Sequence, residues 1–182
     1  MITQNSFLTP DELRETGFRS VGDKVLISRF ARFYGAEKMT IGDNVRIDDF
    51  CILSGEINLG NFIHISAYSA LYGRYGIEMN DYSGLSPRCT VFSATDDFSG
   101  DWLIGPMVDQ ELTNVTGGRV AIGRFSQLGS GCVVLPGASI GEGVTVGAMS
   151  LIIHNLDDWG IYKGIPALFY KKRSKKLLDL LK

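Results

Sequence analysis

Residues 122–152 read IGRFSQLGSGCVVLPGASIGEGVTVGAMSLI, and every sixth position is apolar: Ile122, Leu128, Val134, Ile140, Val146 and Ile152. A helix repeats every 3.6 residues and a half-buried strand every 2. A period of six is neither, and it continues backward through the chain. Met79, Leu85 and Val91 form one triplet, Leu59, Ile65 and Leu71 another, Ile41, Ile47 and Leu53 a third, and Val21, Ile27 and Phe33 a fourth. Four residues after most of these stands a second inward candidate, usually small: Val25, Ala31, Val45, Cys51, Ser69, Ser83, Cys89, Thr95, Ser126, Cys132, Ala138, Val144 and Ser150. Three short strands per coil, each contributing one hexad, make an all-β parallel β-helix of triangular section.

The spacing sets about six coils, at 21–40, 41–58, 59–78, 79–96, 122–139 and 140–157. Their first strands open on Gly22, Gly42, Gly60, Asn80, Gly123 and Gly141, residues suited to a corner with positive φ. Two coils carry extra length, at Tyr34–Thr40 and Tyr72–Glu78, both at the third corner. The larger interruption is 97–121, DFSGDWLIGPMVDQELTNVTGGRVA, which must leave the prism as a long projecting loop, and loops of that length are usually functional. Residues 1–20 form a lead-in with a short helix over 9–16 (TPDELRET), capped by Thr9, opened by Pro10 and ended by Gly17. Residues 21–157 are the β-helix. Residues 158–182 are a tail in which KKRSKKLLDLLK (171–182) has the pattern of a basic amphipathic helix.

Composition narrows the function. A net charge of −2 gives nucleic-acid binding no electrostatic support, and the basic run 171–176 reads as a solvated face compatible with a phosphate contact. No stretch is apolar enough to span a membrane, and Met1–Ser6 lacks the pattern of a leader, so a cytoplasmic location is expected. Cys51, Cys89 and Cys132 fall on inward positions and read as reduced core residues. No metal-ligand spacing is present and no metal is expected. Phe30, Phe50, Phe62, Tyr68, Tyr72, Phe92 and Phe125 fall on outward positions of flat faces, a pattern that calls for burial against another subunit.

The segments MTIGDNVRIDDFCI, SPRCTVFSATD, LGSGCVVLPGASIGEGVTVGAMSLI and GIPALFYKKR resemble the hexapeptide-repeat acyltransferases. Within that family the chain is most similar to the sugar acetyltransferases, including the maltose, galactoside and nucleotide-linked aminosugar branches. The resemblance implies a left-handed helix, a homotrimer, and acetyl-CoA bound as co-substrate in a groove between prisms, with a sugar or nucleotide-sugar acceptor beside it. In the maltose-type enzymes a histidine before the projecting loop is the base; Asp96 stands at that place here. A carboxylate is a poor base for a hydroxyl but suits a protonated amine, which it can pair with and orient. This favours N-acetylation of an aminosugar over O-acetylation of a hydroxyl.

Asp96 and Asp97 are therefore catalytic candidates, the pair reading otherwise as an Asx turn. His64 is a further candidate base or substrate ligand. It lies on a different corner from Asp96, so the two would share a cleft only across subunits. His154 corresponds to a family position near the cofactor groove. Gly129 and Ser130 are candidate oxyanion donors through their N–H groups. Gly147, Ala148 and Ser150 continue a smooth strip for the pantetheine arm. Lys163, Pro166, Lys171, Lys172 and Arg173 are candidates for the adenine and phosphates of CoA. Tyr72, Arg74 and Arg88 are acceptor candidates, an arginine suiting a diphosphate. A zinc enzyme of the γ-class carbonic anhydrase type needs three histidines, and this chain has two. A catalytically silent scaffold would have no need of the loop, the aspartates or the glycine strip.

Overall fold

The computed structural model describes residues 6–181. Residues 1–5, read above for a leader, and Lys182, the end of the expected terminal helix, lie outside them. The chain winds into a parallel β-solenoid with three faces. On the second face Leu26–Ile27, Arg46–Ile47, His64–Ile65, Gly84–Leu85, Gln127–Leu128, Thr145–Val146 and Gly160–Lys163 pair successively in parallel. Their inward residues Ile27, Ile47, Ile65, Leu85, Leu128, Val146 and Tyr162 stack as one buried column. The first and third faces belong to one sheet, because Ile52–Leu59 and Ala70–Met79 run through the corner between them unbroken. Each buried Ile, Leu or Val is worth roughly 1.5–3 kcal/mol, so the columns together hold the fold.

The stack closes across the projecting loop. Val120–Ile122 pair with Ile77–Met79, and Val133–Val134 with Thr90–Val91, so the turns before and after the insertion remain in contact. Met39, Ile57, Ile77 and Val120 make a further buried column in register. Hexad spacing did not reach Met39 and Ile77, because the extra length at 34–40 and 72–78 precedes them.

The first corner corrects the glycine expectation. None of Gly22, Gly42, Gly60, Gly123 and Gly141 has positive φ; the left-handed residues come two positions later, at Lys24, Asn44, Phe62, Tyr82, Phe125, Gly143 and Trp159. Glycine is needed because successive turns approach closely: a Cβ on Gly42 would lie 2.4 Å from the Gly60 carbonyl oxygen. Between glycine and left-handed residue runs a side-chain ladder. The Asp23, Asp43 and Asn61 N–H groups donate to Asp43 Oδ1, Asn61 Oδ1 and Asp81 Oδ1 at 2.8, 2.8 and 2.7 Å. Phe62, Tyr82, Phe125 and Trp159 stack ring on ring along this corner, with centroids 4.5, 5.2 and 6.3 Å apart. Phe30, Phe50 and Tyr68 make a second exposed stack on the second corner. Phe125 departs from the outward set: it is buried.

The carboxyl-terminal end differs from expectation in two ways. The solenoid has seven turns rather than six: Leu156 bridges to Ile140, Tyr162 pairs with Val146, and the Ala167 N–H donates to the Leu151 carbonyl. The terminal helix is replaced by a strand, Leu168–Lys172, antiparallel to Gly160–Lys163, followed by a short 3₁₀ segment, Lys176–Leu181. The last turn exposes an edge of the second face, and Leu168–Lys172 fill its hydrogen bonds, so Lys171 and Lys172 are extended and the tail turns helical only beyond them. The first helix, Pro10–Glu15, forms as expected, with Thr9 and Glu12 in a reciprocal capping box.

Candidate active site

All the extra length of this chain sits on the third corner, and so does a cavity at the base of the loop. At the end of the fourth turn, Ser93 is buried; its hydroxyl donates to the Tyr72 carbonyl at 3.0 Å and accepts from the Tyr75 N–H at 2.8 Å. This stitches the fourth turn to the third. The chain then leaves the prism as Ala94–Thr95, paired antiparallel with the returning Thr116–Gly117. A Cβ on Gly117 would lie 2.2 Å from the Ser93 carbonyl oxygen, so only glycine fits where the loop rejoins. The Tyr75 hydroxyl donates to the Val115 carbonyl at 3.1 Å and props the returning limb.

Asp96 and Asp97 divide the work at the loop base. Asp97 accepts from the Ser99 N–H at 2.7 Å and from Asn114 Nδ2 at 2.8 Å, tying the outgoing limb to the returning one. The hydrogen bonds from Ser99 and Asn114 hold its carboxyl below the usual carboxylate range. Asp96 is half-buried, and its carboxylate has no hydrogen-bond partner among the described residues. It lines a cavity of about 580 Å³ with Arg74, Thr95, Pro106, Thr113 and Asn114. A carboxylate and a guanidinium without partners thus share one opening, while the adjacent aspartate serves the loop. The loop's contribution, including Thr113 and Asn114, went unread in the sequence because the insertion carries no period to align.

Other candidates fall elsewhere. His64 is on the second face, outside that cavity; its Nε2 lies 2.8 Å from Asp48 Oδ2, and Arg46 Nε donates to Asp48 Oδ1 at 2.7 Å. Burial raises the Asp48 carboxyl, but the hydrogen bonds from Arg46 and His64 outweigh it and the net displacement is downward. Tyr72 stacks on Phe92 on the third face, next to Arg74. Arg88 is on the second corner, its guanidinium over the Tyr68 ring.

The glycine strip occupies the second corner of the fifth and sixth turns. The Gly129 N–H is already committed to the Val146 carbonyl at 2.8 Å, and that of Gly147 to the Tyr162 carbonyl at 2.8 Å. This corrects the expected oxyanion role of the Gly129 amide. The amides of Ser130 and Ala148 donate to no partner among the described residues and remain available. Ser150 is buried, its hydroxyl donating to the Gly147 carbonyl and accepting from the Gly164 N–H. It shapes the strip from beneath. Sulfur does the same for neighbouring turns, with Cys89 and Cys132 Sγ at 3.2 and 3.1 Å from the Gly129 and Gly147 carbonyl oxygens. Sequence alone marked these residues only as small.

The basic tail is split. Lys163 continues the second-corner strip, its Nζ 3.7 Å from the centroid of the Tyr170 ring, and Lys171 Nζ lies 5.6 Å from the same centroid. Pro166 follows on the exposed connection. Arg173 lies against the first corner, donating from Nη1 to the Phe125 and Gly143 carbonyls at 2.7 and 3.0 Å. It fastens the tail strand over the aromatic ladder, and Lys172 borders the same region beside Trp159. His154 is exposed next to this region, near Tyr162 and Phe169. Among the described residues no group of three or more His, Cys, Asp or Glu is placed to hold a metal ion. Among the described residues no helix is long and apolar enough to cross a membrane.

Residues 119–154 match the family described as bacterial transferase hexapeptide (six repeats). A dTDP-4-amino-4,6-dideoxy-D-glucose acyltransferase of Escherichia coli is 40% identical over 178 residues, covering 96% of this chain and 93% of that protein. The structure of AntD, an N-acyltransferase from Bacillus cereus solved with dTDP and 3-hydroxybutyryl-CoA, superposes with a TM-score of 0.95 at 47% identity, covering 98% of this chain and 95% of AntD. A serine variant of AntD, solved with dTDP-4-amino-4,6-dideoxyglucose and coenzyme A, gives the same TM-score, 0.95, at 46% identity and covers 98% and 96% of the two chains. The solenoid is thus matched over nearly its whole length by relatives well above 30% identity, and the chain belongs to the hexapeptide-repeat acyltransferases, in their sugar acyltransferase branch.

Proposed function

We propose that this protein transfers the acetyl group of acetyl-CoA to the amino group of a nucleotide-linked aminosugar of the kind used in surface polysaccharides, as a cytoplasmic homotrimer with its active sites between subunits. The observation that carries this reading is Asp96: a half-buried carboxylate without a partner, facing a cavity it shares with Arg74. A carboxylate so placed pairs with the acceptor ammonium, orients it and accepts its proton. The freed amine nitrogen attacks the thioester carbonyl carbon, and a tetrahedral oxyanion forms. Its collapse breaks the C–S bond; the leaving thiolate takes the second proton given up by the nitrogen, giving an amide and free CoA thiol. The free amides of Ser130 and Ala148 suit the oxyanion, and Gly129, Gly147 and Lys163 border a strip bare enough for the pantetheine arm.

The AntD structures supply support of a different kind. AntD has been solved with substitutions at one serine and at one aspartate ten residues further on. Near-complete coverage of both chains leaves room for only a small offset, and Ser86 and Asp96 here have the same types and the same spacing. Ser86 stands on the second corner beside the glycine strip, its hydroxyl accepting from Gln127 Nε2 at 3.3 Å, which leaves the hydroxyl proton free to donate outward. Ser86 and Asp96 are on different corners, so a site using both is completed by a neighbouring subunit. The exposed stack of Phe30, Phe50 and Tyr68 supplies apolar surface for such packing.

The test is a thiol-release assay with acetyl-CoA against a dTDP-linked aminosugar and its hydroxyl counterpart, with product mass as the readout. N-acetylation of the first alone is expected. Turnover of only the hydroxyl acceptor replaces this reading with O-acetyl transfer, and CoA release from neither, with no CoA binding, replaces it with a scaffold.

A further inference from the structure

On the far side of Arg74 from Asp96 a second depression of about 680 Å³ opens on the outside of the third corner, and Arg74 lines both. Its cationic side chains come from three places in the sequence: Arg19 from the lead-in, Lys38 from the 3₁₀ segment Ala36–Lys38, and Arg74 from the corner of the third turn. Glu56 is the single acid among its lining residues. Lys38 and Arg74 have no ion-pair partner among the described residues, and Arg19 spends only its Nε, on the Glu37 carbonyl at 3.3 Å. The floor is bare backbone. A Cβ on Gly55 would lie 2.7 Å from the Gly73 carbonyl oxygen, and one on Gly73 would lie 2.4 Å from that of Glu56. Tyr72 borders the groove with its ring stacked on Phe92 and its outer face open.

The extra length at 34–40 and 72–78 therefore has a common product. With the turn between them it borders a groove with three cations, one acid, a smooth floor and a flat aromatic wall. At one end this groove meets a cavity with a carboxylate. The matching ligand carries a doubly charged diphosphate in the middle, an ammonium at one end and a flat ring at the other. We propose that the groove holds the nucleoside diphosphate half of the acceptor, with Arg74 and Lys38 against the diphosphate and Tyr72 beside the base. The sugar passes Arg74 and presents its amine to Asp96. The proposal rests on the nucleotide-aminosugar reading above and adds to it the place of the nucleotide, on the third corner of the first three turns. Guanidinium and ammonium groups hold phosphate through charge-assisted hydrogen bonds, so the contact is sensitive to salt.

The experiment is calorimetric titration of the intact protein with dTDP, and separately with CoA, for the native chain and for a double variant, Arg19→Gln with Lys38→Gln. Both positions are exposed and lie outside the cavity of Asp96. The double variant is expected to bind dTDP at least tenfold more weakly and CoA as the native protein does, and to raise KM for the nucleotide aminosugar by a similar factor. Unchanged dTDP affinity in the double variant overturns the groove while leaving the nucleotide-aminosugar reading intact. A native protein that acetylates a simple aminosugar but binds no dTDP overturns both. If the double variant loses CoA binding as well, Lys38→Gln alone decides: a several-fold loss in dTDP affinity supports the groove and none overturns it.

Discussion

The first and third corners of this solenoid are made from the same chain by opposite means. At the first, the turns repeat one pattern: a close-packed glycine or asparagine, side-chain oxygens accepting from the previous turn, then a left-handed residue, which at Phe62, Tyr82, Phe125 and Trp159 stacks its ring on its neighbours. Nothing is inserted there. At the third, two turns carry extra residues, one sends out the long loop, and the side chains without partners among the described residues include Lys38, Glu56, Arg74 and Asp96. The regular corner spends its polar groups on itself. The irregular one leaves them free for a ligand. Damage to the first should therefore appear as lost stability, and damage to the third as lost turnover in a folded protein.

The largest effect is expected at Asp96. Replacing a positioned proton acceptor removes about 10²- to 10⁴-fold in rate. Asp96→Asn should lower kcat by at least about a hundredfold, and with no internal hydrogen bond to lose it should leave the melting temperature within a degree or so. Steady-state kinetics and a melting curve on one sample check both halves. Native-like turnover would remove Asp96 from the mechanism, and collapse of the fold would erase the contrast between the corners.

Gly42→Ala is the converse. The added Cβ would lie 2.4 Å from backbone of the next turn, which cannot yield without opening the stack. Overpacking of this kind costs about 1–3 kcal/mol, or a melting temperature lower by about 3–10 °C for a chain of this size. Below its transition the variant should turn over as the native enzyme does. A fall in kcat without a fall in stability would show that the first corner also serves the chemistry.

Asp97 joins the two sides of the comparison, since it spends its carboxylate on structure within the irregular corner. Its folded pKa is depressed, so the stabilisation of the loop is present above the unfolded value, near 3.8, and is lost as pH falls through the lower folded one. Limited proteolysis should therefore cut within 97–117 faster as pH drops below about 4, with an acid-active protease as probe. In Asp97→Asn cleavage should be faster at neutral pH and should lack that acid-dependent step. Acid-independent cleavage of the native loop would show that other contacts hold its base.

What the sequence disclosed follows the same division. The columns of Ile27 through Val146 were legible because burial repeats at a fixed period, and the projecting loop because it breaks that period. Asp96 and Arg74 were found at the breaks. The seventh turn was missed because Ile152 to Leu156 is a four-residue step and the next inward residue, Tyr162, is aromatic rather than aliphatic. The start of the terminal helix was misread at Lys171 and Lys172 because the open sheet edge that Leu168–Lys172 fill is invisible in the local sequence. Arg173 has the composition of a phosphate ligand and the position of a structural clamp, a difference set by two carbonyls far away in sequence, at Phe125 and Gly143. The groove beside Arg74 was hidden because its cations come from three separate segments.

The smallest expected effect is the most specific to the regular corner. Phe62 has φ of 58°, a region that L residues enter at a cost of about 1–2 kcal/mol and glycine enters freely. Its ring recovers part of that cost by stacking on Tyr82 at 4.5 Å, and such a pair is worth about 0.5–1.5 kcal/mol. Phe62→Ala loses the stack and keeps the strain; Phe62→Gly loses both. Glycine should therefore be the milder substitution, by about 1 kcal/mol, the reverse of the order seen inside a helix or strand. Urea unfolding of the pair measures the difference directly. If alanine is the more stable of the two, the left-handed corner is not strained at Phe62, and the repeated aromatics along it are there for the surface they present rather than for the backbone they hold.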